Sequence, residues 1–447
     1  MPKMRSRNLI STNIRQNVAH EFNSTTDRSM HIHMGAGNMI RTGARAKYQS
    51  SCDGTSSAGP LMSRIQTVRS LIDSQEMNGM INMDNDKTEM FEDPKMMKTI
   101  IDAKKYFKKA NIQLVYMRSG STGHAFKAVS TIDGKPMYAV KVCAYPHDKH
   151  GNMNDEARPE NAELKMLYLL SYFTLNIKTP HFVLPIITFN TTIDMFVNMP
   201  NDIIKFDGSK PNYDSYNNFL DKYDNGGYND IVSVLICEWC DNGDLMSYIR
   251  AKHKEMTKRD WVVIFFQILY TLAMTHEKYP DFRHNDLKPN NILVKSTDPS
   301  LDKNQRYKYS LGKYDFSIPN IGIQVKIWDF DFACIDGIVN NNKVDADWTT
   351  SLNVSSKKHQ YYDMHYFFNT LTSRRFFSDF YTGGAPEEIV EFVSRVVPEK
   401  YKCGTSVTKK GRFLKQCEFL TPLSVLTTDP LFKKYRFINN ANSRKQN

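Results

Sequence analysis

The residues best suited to chemistry lie in one short stretch of the chain, His284 to Val294, with the sequence HNDLKPNNILV. Asp286 offers a carboxylate that can orient a hydroxyl group and accept its proton. Lys288 offers a cation on the same side, and Asn291 offers an amide oxygen, a hard donor of the kind that Mg²⁺ prefers. This set suits phosphoryl transfer, in which a protein acts mainly by positioning groups and stabilising charge.

Two kinds of element are needed to hold this stretch in place. Residues 259–278 have the apolar character of a long buried helix, which would lead the chain into the stretch. The short run after Asn291 is β-branched and predicts a strand that returns to the core. A second apolar run, residues 325–328, ends at Asp329, so another carboxylate follows a predicted strand.

Three further motifs precede the stretch. Residues 115–128 predict a strand, a glycine turn and a second strand, and glycine lets backbone N–H groups approach a phosphate closely. The sequence Tyr-Ala-Val-Lys follows and ends at Lys141, 18 residues after Gly123. Residues 155–172 have helical apolar spacing, with Pro159 near the start, where proline is tolerated.

Taken in this order, the motifs resemble those of the protein kinase family over roughly residues 111–380. The resemblance implies that Asp286 and Lys288 are catalytic and that Asn291 and Asp329 bind the metal ion. It also implies that Glu163 pairs with the lysine, with Glu160 as the alternative, and that Asp363 holds the catalytic loop. The remaining implied ATP-binding residues are Gly120, Ser121, Thr122, Gly123, Ala125, Ala139, Lys141, the backbone of Glu238 and Cys240, and Asp244, which would reach the ribose or cap a helix.

The resemblance also implies the fold class and the domains. It predicts an α+β, two-lobed kinase-like fold with a small β-rich N-lobe and a mostly helical, reduced C-lobe. Residues 1–95 are expected to be a poorly ordered basic region. The N-lobe is expected at 96–240 with an insertion near 188–230, and the C-lobe at 241–447 with an insertion near 296–320. Both insertions are polar and rich in turn residues, and a surface loop is the default expectation at 188–230.

Several departures from the usual kinase pattern indicate a narrower group. Asp331 stands where kinases have the glycine of Asp-Phe-Gly, and we expect its carboxylate to be solvated. Asn285 replaces the usual arginine of the catalytic loop. These features resemble the divergent serine/threonine kinases of large DNA viruses, such as the poxvirus virion-assembly kinase and its iridovirus and mimivirus-type relatives. That resemblance implies a role in virion assembly and a location in the host cytoplasm and the virion.

Composition adds limits of its own. The formal net charge is +11, and residues 1–70 hold ten Lys and Arg against three Asp and Glu, which suggests an anionic partner for the basic N-terminal region. Seven scattered cysteines indicate a reducing, cytosol-like compartment. Cys237 and Cys240 form a C-x-x-C pair without a second pair at zinc spacing. The longest apolar run is too short to cross a bilayer.

The resemblance implies an ATP-dependent serine/threonine protein kinase that acts on protein hydroxyl groups with Mg²⁺, or with Mn²⁺ as an alternative. Two other functions stay open. A small-molecule kinase of the aminoglycoside or choline type uses a similar catalytic loop, and a kinase-like scaffold would bind partners without catalysis. Within the family that the chain resembles, a lysine at the position of Lys288 implies Ser and Thr over Tyr as the acceptor, and dual specificity also stays open.

Overall fold

The computed structural model describes residues 78–79, 101–119, 123–147, 152–176, 178–198, 204–206, 210–298, 304–416 and 418–438. Apart from Lys210, all of these residues belong to one compact unit. The expectations for residues 1–95, including an anionic partner, concern residues outside the described ranges except for 78–79. None of the helices in the described ranges has both the length and the apolar character needed to span a bilayer.

A seven-stranded sheet forms the N-lobe, in the order β1-β5-β7-β4-β3-β2-β6, and every neighbouring pair is antiparallel except β2 and β6. Its strands are β1 Asn78–Gly79, β2 Ile112–Ser119, β3 His124–Ser130, β4 Pro136–Pro146, β5 Pro185–Thr192, β6 Ile204–Phe206 and β7 Tyr228–Glu238. The helices of this region are α1 Ala103–Lys109, α2 Pro159–Leu175, α3 Asp194–Asn198 and α4 Lys210–Asp224.

The expectation of a surface loop at 188–230 is wrong. The segment completes β5, forms α3, β6 and α4, and begins β7, and β6 adds a parallel strand beside β2. Its aromatic residues explain why the segment forms regular structure, because they are buried against the sheet. The ring centroid of Phe219 lies 4.4 Å from that of His124, and the Tyr216 hydroxyl donates to the carbonyl oxygen of Val197 at 2.6 Å.

The C-lobe is built around one buried helix, α6 Lys258–Lys278, which begins at a capping box formed by Thr257 and Asp260. Its other helices are α5 Leu245–Lys252, α7 Asp347–Thr350, α8 Gln360–Leu371, α9 Arg374–Phe377, α10 Glu387–Val396 and α11 Pro422–Thr428. Its strands are β8 Ile292–Ser296, β9 Arg306–Leu311, β10 Tyr314–Pro319, β11 Ile323–Ile327 and β12 Arg436–Ile438.

The second insertion, near 296–320, also forms regular structure. Its described part contains the antiparallel pair β9 and β10, which packs on α6. The Tyr270 hydroxyl donates to the carbonyl oxygen of Ser310 at 2.8 Å, and the rings of Phe266 and Phe316 lie 5.2 Å apart. Buried and exposed side chains alternate along β9 and the end of β10, so this polar segment forms a hairpin that covers α6.

Candidate active site

The loop between α6 and β8 is held by a carboxylate from a distant helix. Asp363 in α8 accepts hydrogen bonds from the backbone N–H groups of His284 at 2.7 Å and of Asn285 at 2.9 Å. Asn285 has a φ of 62°, a left-handed conformation that asparagine tolerates better than most residues. The predicted role of Asp363 as the anchor of this loop is confirmed.

The Asp286 carboxylate lies at the centre of a set of donors. Its Oδ2 lies 2.6 Å from Lys288 Nζ and 2.9 Å from Asn291 Nδ2, and its Oδ1 accepts a hydrogen bond from Arg412 Nη2. An ionised carboxylate has about four lone-pair sites, so three donors leave room for one more. The fourth site is where a substrate hydroxyl group can donate.

Arg412 is the functional candidate that the sequence did not reveal. It is buried, donates also to the carbonyl oxygen of Asn285, and stacks over the ring of Tyr366 at 4.4 Å. Burial works against the charge, but Tyr362, Tyr366 and Asp286 raise the pKa of the guanidinium group above its ordinary value. Arg412 follows Asp286 by 126 residues, and no local pattern connects the two.

Lys141 meets two carboxylates that come from different parts of the chain. Its Nζ lies 2.7 Å from both oxygens of Glu163 and 3.4 Å from Oδ1 of Asp329. Burial alone would lower the pKa of Lys141, but the two carboxylates raise it well above its ordinary value, so the ammonium group stays charged. Glu160, the alternative partner, instead lies 3.3 Å from Nε of the buried Arg158.

The pairing of β8 with β11 brings the two expected metal ligands to one place. Ile292 pairs with Ile327, so Asn291 before β8 and Asp329 after β11 lie at the same end of the two strands. The amide nitrogen of Asn291 is used by Asp286, which leaves its oxygen for a metal ion. Burial opposes the charge of Asp329, but Lys141 and other nearby cations lower its pKa, so the carboxylate stays ionised.

Asp331 is not solvated, which corrects the expectation for this position. Its carboxylate is buried, and Oδ2 lies 2.5 Å from Nζ of the buried Lys343. Burial and the neighbouring Asp329 raise the pKa of Asp331 above its ordinary value, against the effect of Lys343. The left-handed φ falls on Asp329, at 67°, and not on Asp331, so this backbone does not require the glycine that kinases usually have.

The nucleotide side of the site is formed by β3 and β4. Ala125 pairs with Lys141 across these strands, and the half-buried Ala125, Ala139 and Lys141 alternate with fully buried neighbours. Gly123 allows a close approach of the chain, since a Cβ atom there would collide with the Val142 carbonyl and lie 2.8 Å from Cys143 Sγ. The other three expected residues of the glycine turn lie outside the described residues: Gly120, Ser121 and Thr122.

The expected hinge follows the end of β7. The Glu238 N–H donates to the Leu184 carbonyl oxygen at 3.0 Å, so only the carbonyl group of Glu238 is available to a base. The Glu238 side chain is buried between Lys295 and Lys326, and Cys240 is buried just beyond the strand. Asp244 caps α5 by accepting the N–H of Ser247 at 3.0 Å, which confirms the cap and leaves the ribose contact a prediction.

Comparison with known proteins agrees with this geometry. The family model of the protein kinase domain matches residues 218–354. Over 380 residues the chain is 50% identical to a protein of Acanthamoeba polyphaga mimivirus named as serine/threonine-protein kinase R400, with 85% of this chain and 81% of that protein covered. The chain belongs to the protein kinase family.

More distant viral relatives match a smaller part of the kinase. It is 30% identical over 162 residues to serine/threonine-protein kinase 2 of variola virus, which covers 34% of this chain and 32% of that protein. It is 27% identical over 203 residues to the protein of the same name in monkeypox virus, with 44% and 41% covered. The expectations of a two-lobed kinase fold, a serine/threonine protein kinase and relatives in large DNA viruses are therefore confirmed.

Proposed function

We propose that this kinase transfers the γ-phosphoryl group of ATP to Ser and Thr hydroxyl groups of proteins. The observation that carries the proposal is the position of Lys141 Nζ, 2.7 Å from Glu163 and 3.4 Å from Asp329. This contact joins β4, α2 and the end of β11. In the proposed complex, the charged ammonium group would contact the nucleotide phosphates, beside a carboxylate that would hold a metal ion.

In the proposed complex, the sheet side binds the nucleotide. Lys141 would contact its phosphates, the backbone at Glu238 and Cys240 would bind the base, and Asp244 would reach the ribose. Gly123, with residues 120–122 before it, would cover the phosphates, and Ala125 and Ala139 would line the base pocket.

On the C-lobe side, Asp286 would orient the acceptor hydroxyl group and accept its proton as the new phosphate ester bond forms. Lys288, whose Nζ lies 2.6 Å from Asp286 Oδ2, would stabilise the negative charge on the phosphoryl group during transfer. The bond between the β–γ bridging oxygen and the γ-phosphorus breaks, and ADP leaves with the electron pair.

The residues present fit a divalent metal ion. The described residues contain no cluster of three or more His, Cys, Asp or Glu side chains suited to a metal. Asn291 and Asp329 provide two oxygen ligands, and Mg²⁺ is commonly bound by one or two protein oxygens together with substrate phosphates. Mn²⁺ is the alternative ion. When bound, the ion would neutralise charge on the phosphates.

The experiment that tests the proposal measures transfer of labelled γ-phosphate from ATP and Mg²⁺ to a generic protein substrate. The amino acid that carries the label is then identified. The Asp286→Asn variant removes the proposed base, and Asp281→Asn, in the turn before the loop, is the matched control. We expect label on Ser or Thr with the wild type and the control, and none with Asp286→Asn. Bound ATP without transfer would instead support a scaffold, and transfer only to a small metabolite would support a small-molecule kinase.

We also propose that the kinase acts in virion assembly, in the host cytoplasm and within the particle. The similarity to kinases of mimivirus and the poxviruses supports this proposal. The substitution Asp286→Asn in the virus that encodes the kinase should reduce the phosphorylation of particle proteins and the yield of complete particles. Normal particles with unchanged phosphorylation would contradict the proposal.

A further inference from the structure

A cleft of about 990 Å³ opens beside Asp286 and Lys288, on the C-lobe side of the site. Asp286, Asp329 and Asp331 are its only acidic lining residues within the described part of the chain. Six cations also line it: Lys288, Arg375, Lys402, Lys409, Lys410 and Arg412. The charge of the cleft therefore depends on which of these groups are already neutralised.

All three carboxylates have cationic partners. Lys288 and Arg412 contact Asp286, Lys141 contacts Asp329, and Lys343 contacts Asp331.

Three of the six cations do not neutralise a carboxylate. Arg375, Lys409 and Lys410 are exposed and form no salt bridge with any of the described residues. The lining therefore carries uncompensated positive charge, which attracts an anionic partner and disfavours a cationic one.

The turn Thr408–Gly411 holds Lys409 and Lys410 close to Asp286. Val407 bridges to Phe413 across this turn, and the Thr408 N–H donates to the Arg412 carbonyl oxygen at 2.8 Å. Gly411 has a φ of 83°, and its carbonyl oxygen accepts a hydrogen bond from Asn369 Nδ2 at 2.9 Å.

Arg412, which follows the turn, contacts Asp286 directly. Consecutive Cα atoms are about 3.8 Å apart, so the Cα atom of Lys409 lies within about 11 Å of that of Arg412. An extended peptide covers that distance in about three residues.

We propose that this cleft selects protein substrates in which Asp or Glu residues lie within about three positions of the accepting Ser or Thr. This inference rests on the proposed function and names the substrate class for that same site. The basic region at residues 1–70 is an unsuitable occupant, because its excess of Lys and Arg has the same sign of charge as the cleft.

The test compares peptides that share one Ser and differ only in their neighbours: Asp and Glu, Gln and Ser, or Lys and Arg. The measured quantity is the ratio of kcat/KM for the acidic peptide to kcat/KM for the neutral one. Each exposed ion pair changes affinity by up to about fivefold, and three unpaired cations line the cleft. An acidic peptide that pairs with two or more of them should therefore give a ratio of about ten or more for the wild type. The ratio should fall as salt is added, because exposed charges are screened.

Charge reversal distinguishes the cleft from the net charge of the chain. The variant Lys409→Glu with Lys410→Glu should bring the ratio to about one or below. The matched control, Lys433→Glu with Lys434→Glu, makes the same charge change at an exposed pair that does not line the cleft, and its ratio should stay at the wild-type value. Circular dichroism would check that both variants are folded.

A wild-type enzyme that uses acidic and neutral peptides equally, or prefers basic ones, would overturn the proposal while leaving the proposed function intact. An unchanged ratio in the cleft variant would overturn it too. If no peptide receives phosphate, the proposed function itself fails. The cleft is then tested by fluorescence anisotropy of the labelled acidic peptide, where equal binding by the wild type and the cleft variant would overturn the proposal.

Discussion

Arg412 donates a hydrogen bond from Nη2 to Oδ1 of Asp286, and both side chains are buried. The remaining oxygen of Asp286 is held by Lys288 and Asn291, so the carboxylate is fixed from two directions. Arg412 also donates to the carbonyl oxygen of Asn285, next to Asp286 in the loop. One guanidinium group therefore fixes both the backbone and the side chain of the proposed base.

Replacing Arg412 should slow catalysis without a matching loss of ATP binding. We expect kcat to fall by about 100-fold in Arg412→Ala, since a small displacement of a catalytic group costs that much, whereas KM for ATP changes little. Arg412→Lys keeps the charge but loses the fork of donors, so an intermediate kcat is expected. Steady-state kinetics measures both values, and thermal unfolding checks the fold. A kcat within twofold of wild type in Arg412→Ala would exclude this positioning role.

Substitutions of the two acidic residues in the first part of α2 should have different effects, one on activity and the other on stability. Glu163→Gln removes the charge that faces Lys141 at 2.7 Å, so kcat/KM for ATP should fall by about 10-fold or more. Glu160→Gln, one turn earlier, removes a charge that faces Arg158 and should lower the unfolding temperature instead of the activity. Initial rates over a range of ATP concentrations, with calorimetry of both variants, would measure this difference. Equal losses of activity in the two variants would contradict the assignment.

Site residues that lie within one short motif could be predicted from the sequence. Helical spacing in 155–172 predicted the helix, and the resemblance to the kinase pattern favoured Glu163 over Glu160 within it. The catalytic loop contained Asp286 within one short motif. Arg412 had no such signal, because its contact with Asp286 depends on the packing of a turn more than a hundred residues away. The segment 188–230 was misread for a related reason. Its many Asn and Asp residues suggest a loop, but burial of a few aromatic side chains decides the structure.

Asp331 and Lys343 form a buried ion pair that the kinase pattern does not predict, and the pair should be needed for stability. Asp331→Asn leaves the ammonium group of Lys343 without its carboxylate, which should lower the free energy of unfolding by about 3 kcal/mol. Lys343→Met should lower the free energy of unfolding by a similar amount, because it leaves the buried carboxylate of Asp331 without its cation. The double variant should recover part of the loss, because neither charge is then left alone. Urea denaturation of the four proteins gives the coupling energy, and strictly additive losses would contradict a direct pair.

Buried histidines should make the fold sensitive to mild acid. Burial lowers the pKa of His365 to about 4, against the hydrogen bond with the Tyr401 carbonyl, and lowers the pKa of His276 to about 4 as well. An unfolded histidine has a pKa of about 6.5, so below this pH the unfolded chain binds protons that the folded chain does not. The free energy of unfolding is therefore greatest above pH 6.5 and falls as the pH drops towards about 4, by about 2 kcal/mol for each such histidine at pH 5.

A single substitution tests the origin of this acid sensitivity. His365→Gln keeps a side-chain N–H for the Tyr401 carbonyl, 2.8 Å from Nε2 in the wild type, but it cannot take up the proton. The difference in unfolding temperature between pH 7 and pH 5 should therefore be smaller in this variant than in the wild type. His147→Gln, at an exposed position, is the control and should behave like the wild type. If His365→Gln loses as much stability between these pH values as the wild type does, protonation of His365 does not contribute to acid unfolding.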